Sequence, residues 1–64
     1  MSKLIEWAKE WARRYLERYP DKCDEAIEGA KNWASGYYRA FTDKEIPDHI
    51  LDEIEKQLRK EFNC

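Results

Sequence analysis

The chain has 64 residues and a formal net charge of −2, from 12 basic and 14 acidic side chains. A chain of this length buries only about 60% of the surface that its unfolded form exposes, so we expect one small domain of marginal stability. The near balance of charges argues against a protein that binds polyanions, and no apolar run approaches the roughly 18 residues of a transmembrane helix. The N-terminus lacks the apolar segment of a signal peptide, which favours a cytosolic or recombinant protein without indicating its compartment.

Helix formers dominate the composition, because valine is absent and Thr42 is the single threonine. The first segment, about residues 2–19, repeats its apolar residues at helical spacing over roughly half of the circumference. Pro20 ends this helix, since the residue before a proline is disfavoured in the helical region. The predicted inward residues are Leu4, Ile5, Ala8, Trp11, Ala12, Tyr15, Leu16 and Tyr19.

A second helix is predicted over about residues 22–41. Asp21 is a candidate N-cap, and Asp24 and Glu25 supply the negative charge that a first helical turn favours. The middle of its inward face is alanine, which lets neighbouring helices approach closely. The predicted inward residues are Cys23, Ala26, Ile27, Ala30, Trp33, Ala34, Tyr37, Tyr38 and Phe41.

The third helix is predicted over about residues 47–62, after a structured loop over residues 42–46. Thr42 and Glu45 have the spacing of a capping box, and Pro47 suits the first turn of a helix. Its apolar stripe consists of Ile50, Leu51, Ile54, Leu58 and Phe62. Short connections make consecutive helices antiparallel neighbours, so the sequence predicts a single all-α domain, an up-down-up three-helix bundle.

Two cysteines fall at positions that such a bundle brings to the same level. At a rise of about 1.5 Å per residue, the third helix returns Cys64 to the beginning of the second helix, where Cys23 lies. We therefore expect an intramolecular disulfide. The alternatives are an intermolecular link or a labelling handle at Cys64, and a reactive thiolate at Cys23, which the neighbouring acidic residues oppose.

No pattern of residues indicates catalysis, a cofactor or a metal centre. His49 is the only histidine, and with Glu53 one turn later it offers at most two ligands, whereas a zinc site needs four. We interpret His49 as a solvated side chain and expect that the chain is not an enzyme. Residues 42–64 carry seven acidic and four basic residues, so the helix that would enter a DNA groove is acidic and nucleic acid is not expected as a partner.

A cluster of tryptophan and arginine on the first helix is a candidate protein-binding surface. Trp7, Trp11, Arg14 and Arg18 follow one another at i, i+4, i+7 and i+11, which places them along one side of the helix. Tryptophan and arginine are enriched at binding hot spots. The same composition occurs in membrane-surface helices, but the apolar face is needed to close the bundle, so membrane binding is not favoured.

The competing interpretation, which the sequence slightly favours, is structural. In it, Trp7 lies beneath the 42–46 loop and packs on Ile46 and Pro47. Two further candidate contact residues, Lys31 and Tyr38, lie on the far flank of the second helix.

Two glycines one heptad apart suggest a different surface on the second helix. Each costs about 1 kcal/mol relative to alanine inside a helix. Together with neighbouring residues they form a small-residue stripe on the predicted outer face, which a second copy of the chain could approach. The candidate helix-packing face consists of Gly29, Asn32, Gly36 and Ala40.

In its composition, and in the placement of the residues that begin and end its helices, the whole chain resembles designed helical mini-proteins. Dense Glu, Lys and Arg, capped helices and a terminal cysteine pair carry that resemblance, which implies a stable scaffold or a binder for a protein partner. Outward glycines, an irregular 42–47 loop and a core richer in Trp and Tyr than in Leu favour the alternative, a natural regulatory or phage-type module. The first hypothesis favours a monomer, and the second a homodimer through the glycine face.

Overall fold

The computed structural model describes residues 2–64 and contains three helices, α1 (Ser2–Arg18), α2 (Cys23–Thr42) and α3 (Asp48–Phe62). Each helix contacts both of the others in a bundle that extends 34 Å along its longest axis. The predicted all-α three-helix bundle is confirmed. Within the described residues, none of the helices combines the length and the apolar content needed to cross a bilayer.

Contacts between the helices show the up-down-up order. The ring of Trp7, early in α1, contacts that of Tyr37, late in α2. Arg59, late in α3, contacts Asp24, early in α2, at 3.1 Å. Ile5, early in α1, lines one depression with Ile50, early in α3, which fits parallel helices on either side of an antiparallel α2.

The helix ends depart from the predicted caps. Lys22, not Asp21, immediately precedes α2, and it makes no side-chain capping bond. Its carbonyl accepts the first helical hydrogen bond, from the Ala26 N–H at 3.0 Å. Asp24 and Glu25 do lie in the first turn, so favourable charge, rather than a side-chain cap, marks this helix start.

The predicted capping box at Thr42 is wrong. Thr42 is the last residue of α2, and its hydroxyl donates to the Tyr38 carbonyl at 2.8 Å and accepts from the Lys44 N–H at 3.2 Å. Asp43 then adopts the left-handed conformation, with φ 60°, and donates its N–H to the Arg39 carbonyl. Thr42 therefore closes α2 instead of opening α3, which begins after Pro47 without a side-chain cap.

The buried core contains only alanine, isoleucine and leucine. Ile27, Ile54 and Leu58 are the largest side chains that are fully enclosed. Small alanines on facing sides of α1 and α2 allow these helices to pack closely, so little room remains between them for large rings. The complete buried set is Leu4, Ala8, Ala12, Ala26, Ile27, Ala30, Ala34, Ile46, Ile54 and Leu58.

The predicted disulfide is present between Cys23 and Cys64, whose Cα atoms lie 6.1 Å apart. It joins the first residue of α2 to the C-terminal end of the chain, just beyond α3. The 41 residues of separation between them make this a long covalent loop that encloses α2, the 43–47 connection and α3.

An ion-pair network supports the contact between α2 and α3. Lys31 Nζ donates to Glu55 Oε1 at 2.7 Å, and Arg59 Nε donates to Glu55 Oε2 at 2.9 Å. Arg59 also reaches Asp24 of α2 at 3.1 Å. The hydrogen bonds from Lys31 and then Arg59 hold the pKa of Glu55 below its ordinary value, and the bond to Glu55 raises the pKa of Lys31.

Glu55→Gln is expected to lower the free energy of unfolding by about 1 kcal/mol near neutral pH, the upper range for a surface pair, because two cations lose their shared carboxylate. The pKa of Glu55 is lower in the folded state than in the unfolded chain. Its contribution to the free energy of unfolding is therefore fully present at a pH above its unfolded-state pKa of about 4.3, and it is lost as the pH falls through its folded-state pKa. Urea titrations of both proteins at pH 7 and near pH 3 measure this difference.

Glu53→Gln is the matched control on the same helix, because Glu53 accepts a hydrogen bond from the neutral amide of Gln57 at 2.8 Å. It should change stability by less than about 0.5 kcal/mol at either pH. An equal loss in both variants would contradict a specific role for the Lys31–Glu55–Arg59 network.

Candidate functional site

The aromatic side chains lie around the buried core rather than inside it. All nine retain some solvent exposure. Seven of them follow the seam between α1 and α2, and we call this set the aromatic strip. Its members are Trp7, Trp11, Tyr15 and Tyr19 on α1, and Trp33, Tyr37 and Phe41 on α2.

At one end of the strip, the ring of Tyr37 contacts three others. Trp7 makes a T-shaped contact with it at a centroid distance of 5.1 Å, Trp33 stacks on it at 5.3 Å, and Phe41 lies at 4.5 Å. Trp7 nevertheless stays 44% exposed, and Phe41 is 73% exposed. Trp7 is therefore not enclosed beneath the 42–46 loop, and the structural interpretation of this residue is wrong.

At the other end, Trp11 stacks on Tyr15 with centroids 5.5 Å apart, and Tyr15 contacts Tyr19 at 5.0 Å. Tyr19 is 43% exposed. A shallow depression of about 410 Å³ opens over these three rings. A second one, of about 240 Å³, lies between Trp7, Trp11 and Trp33, so the two ends of the strip form one continuous surface.

Positive charge borders this surface. Arg14 lines both depressions, is 75% exposed, and reaches Glu10 only through a long contact of 3.3 Å. Glu10 is engaged mainly by Arg13, whose hydrogen bond is the largest cause of the lowered pKa of Glu10.

The two ends of the strip also carry basic residues. Arg18 lines the Tyr19 end, and it forms no ion pair among residues 2–64. Lys3 lines a depression at the Phe41 end.

The structure brings most of the predicted contact residues together. Trp7, Trp11, Arg14 and Arg18 share the α1 side of the strip, and Tyr38 lines the depression beside Trp7. Lys31 is separate from them. Its amine contacts Glu55 and Glu28, and its side chain is only 19% exposed, so it belongs to the contact between α2 and α3.

Five further strip residues were not predicted as surface, because helical periodicity assigned them to the core. Of these, Tyr15, Trp33 and Tyr37 are partly buried and pack against the core, as the periodicity predicts, whereas Tyr19 and Phe41 are exposed, so their predicted inward position is wrong. The alanine content of the same stripes was the available signal, since an interface that alanines hold close cannot also enclose seven large rings.

The glycine face is only partly open. A Cβ added at Gly29 would lie 2.3 Å from Cη2 and 2.6 Å from Cζ3 of Trp11, whereas one added at Gly36 would meet no atom within 4 Å. Gly29 thus faces the indole of α1, and the prediction that it faces outward is wrong. Asn32, Gly36 and Ala40 are exposed, as that prediction requires.

Gly36→Ala is expected to raise the free energy of unfolding by about 1 kcal/mol, because it removes the helix penalty of glycine at an open position. Gly29→Ala gains the same propensity but forces the Trp11 ring away from α2, and overpacking of this kind costs about 1–3 kcal/mol. We therefore expect Gly29→Ala to be neutral or destabilising. Urea denaturation followed by circular dichroism measures both.

The double variant Trp11→Ala/Gly29→Ala is the control for this pair. With the indole removed, alanine at position 29 should stabilise relative to Trp11→Ala alone, as it does at position 36. Equal stabilisation by Gly29→Ala and Gly36→Ala in the wild-type background would contradict the close approach of Trp11.

His49 and Glu53 do lie together, in a depression that Ile5 and Ile50 also line. Among residues 2–64 there is no group of three or more His, Cys, Asp or Glu side chains arranged to hold a metal ion. This depression therefore offers apolar surface and one imidazole beside one carboxylate.

No protein-family model, curated protein or solved structure matches the chain. The geometry of the aromatic strip is therefore the observation that bears on function.

Proposed function

We propose that the chain is a non-enzymatic protein-binding module that presents the aromatic strip to a protein partner. One observation carries this function: Phe41, Trp7 and Tyr19, at 73%, 44% and 43% exposure, lie on a single continuous face. Tyrosine, tryptophan and arginine are the residues that most often dominate binding energy at interfaces. Here they occur together with the exposed guanidinium groups of Arg14 and Arg18.

The area of this surface fits a binding role. A large aromatic side chain buries roughly 150–250 Å² when fully enclosed, so these three side chains leave on the order of 350 Å² in contact with water. A contiguous apolar patch of about 300–600 Å² is the largest that a typical soluble monomer exposes, and such patches are often functional. A standard interface buries about 800 Å² on each partner, which the whole strip and its rim could supply.

The same arrangement supports a designed or engineered origin, which is part of what we propose. The buried core is built from Ala, Ile and Leu, while the aromatic residues are concentrated outside it on one face. Of the two glycines that favoured a natural module, Gly29 has a structural role beneath Trp11. Because Trp11 covers Gly29, this residue is not available to a homodimer formed through the glycine face.

Panning of a phage-displayed library of random peptides, about 16 residues long, tests the binding role. The immobilised targets are the wild type and two variants, Phe41→Gln and Tyr19→Gln, which remove one exposed ring at each end of the strip. Removal of a hot-spot aromatic costs at least 2 kcal/mol, which is about 30-fold in affinity, and we expect at least one of these two rings to be such a residue. We expect enriched clones to bind at least one variant about 30-fold less tightly than the wild type.

Lys56→Gln, on the exposed surface of α3, is the control and should bind the same clones as the wild type. The folding of each variant is checked by circular dichroism. Clones that bind both strip variants as tightly as the wild type would show that the strip is not the binding surface.

A further inference from the structure

We infer that the aromatic strip takes an acidic amphipathic helix, with apolar residues on one side and carboxylates on the flanks. This inference rests on the proposed function and identifies the chemistry of its partner. It follows from the charges around the strip, from the distribution of those charges along it, and from the small residues beside it on α2.

The charges bordering the strip on α1 are mainly positive and largely available. Arg13 forms ion pairs with both Glu10 and Glu17, so these acidic residues are engaged beside the strip. Arg14 shares Glu10 only at 3.3 Å, which leaves most of its hydrogen-bonding capacity free. An exposed guanidinium binds a carboxylate through two parallel hydrogen bonds. Because Arg14 and Arg18 adjoin the same depression, acidic residues one turn apart on a helix could reach both.

The distribution of charge disfavours a second copy of the chain as the partner. Arg18 lies at the Tyr19 end of the strip and Lys3 at the Phe41 end. In a symmetric dimer formed strip against strip, an antiparallel arrangement brings Arg18 towards Lys3 of the other copy, and a parallel arrangement brings like residues together. Both arrangements place positive charge against positive charge, which costs binding energy.

The shape of the surface favours a helix. The strip follows two packed helices in a bundle 34 Å long, and about 16–20 helical residues at 1.5 Å each span most of that length. Gly36 and Ala40 lie three positions beyond Trp33 and Tyr37 on α2, where they are exposed and small. Residues three positions apart are neighbours on a helix surface, so at these two positions α2 has no large side chain to obstruct a helix that lies along the rings. A helix also satisfies its own backbone hydrogen bonds, which matters because residues 2–64 offer no strand edge.

The composition of strip-dependent clones from the panning experiment tests this inference. We expect them to be enriched in Glu and Asp beside apolar residues at helical spacing, and a synthetic peptide of the tightest clone to gain helical circular dichroism on binding. Against Arg14→Gln/Arg18→Gln, its affinity measured by fluorescence anisotropy should fall about tenfold at low salt, and this difference should shrink as salt is added. The Lys56→Gln control should show no change.

Each other outcome has a distinct meaning. Clones that need the strip but are basic, neutral or proline-rich would overturn the acidic helix and leave the proposed function in place. Clones that bind the Phe41→Gln and Tyr19→Gln variants as tightly as the wild type would overturn both. In a parallel assay with phosphatidylserine-containing vesicles, strip-dependent sedimentation without strip-dependent peptide clones would identify an anionic membrane surface instead, and would also overturn the acidic helix.

Discussion

Replacement of both Cys23 and Cys64 with serine is expected to lower the free energy of unfolding by about 4 kcal/mol. The two cysteines are separated by 41 residues, and in the chain-entropy model a covalent loop of that length removes about this much conformational freedom from the unfolded chain. A single core in a chain of this size rarely supplies more than about 3–5 kcal/mol. The double variant should therefore be largely unfolded at ambient temperature.

Urea denaturation of the wild type, with and without a reducing agent, and of the double variant measures this effect. The reduced wild type and the double variant should agree, since both lose the same covalent loop. The single variants Cys23→Ser and Cys64→Ser provide a check on connectivity, because each leaves one free thiol that can form a disulfide-linked dimer. A loss of less than about 1 kcal/mol in the double variant would contradict a stabilising intramolecular bridge.

The pairing of these cysteines was predictable because it depends on lengths alone. Helical rise is nearly constant, and the proline positions limit where the helices end. The count from Pro47 onward therefore returned Cys64 to the level of Cys23, where the structure places it. The helix order and the inward face of each helix followed from similarly regular quantities.

The helix ends were less predictable, because one local pattern serves two purposes. A threonine three residues before a glutamate can open a helix, but a threonine hydroxyl can also donate to the carbonyl four residues earlier and lie in a last turn. Thr42 does the second. The sequence contains no local signal that separates the two, since the choice depends on how far the packing against α1 and α3 extends α2.

The depth of the aromatic residues was the largest difference between prediction and structure, and it determines the candidate site. Periodicity reports the direction in which a residue points and says nothing of the distance between helices. That distance is set here by alanines such as Ala8, Ala12 and Ala30, which are completely buried. The rings are consequently displaced to the edge of the α1–α2 interface, and Trp11 fits there only because residue 29 has no Cβ.

Leu58→Ala is expected to lower the free energy of unfolding by about 3 kcal/mol, the second largest effect. Leu58 is fully enclosed, and leucine-to-alanine changes in cores cost about 2–5 kcal/mol according to how far the surroundings collapse into the cavity. Half of the buried core consists of alanines, which have no side-chain rotamers with which to fill a void. Urea denaturation with the disulfide intact measures this change.

Phe41→Ala is the matched comparison, because it removes more atoms from a side chain that is 73% exposed. It should cost less than about 1 kcal/mol, since little buried area is lost and alanine is the better helix former. A small loss at Phe41 beside a large one at Leu58 would mean that Phe41 contributes little to folding, so its exposed ring is available for binding. If instead Phe41→Ala destabilised as strongly as Leu58→Ala, this end of the strip would be part of the folded core, and the proposed binding surface would lose its most exposed member.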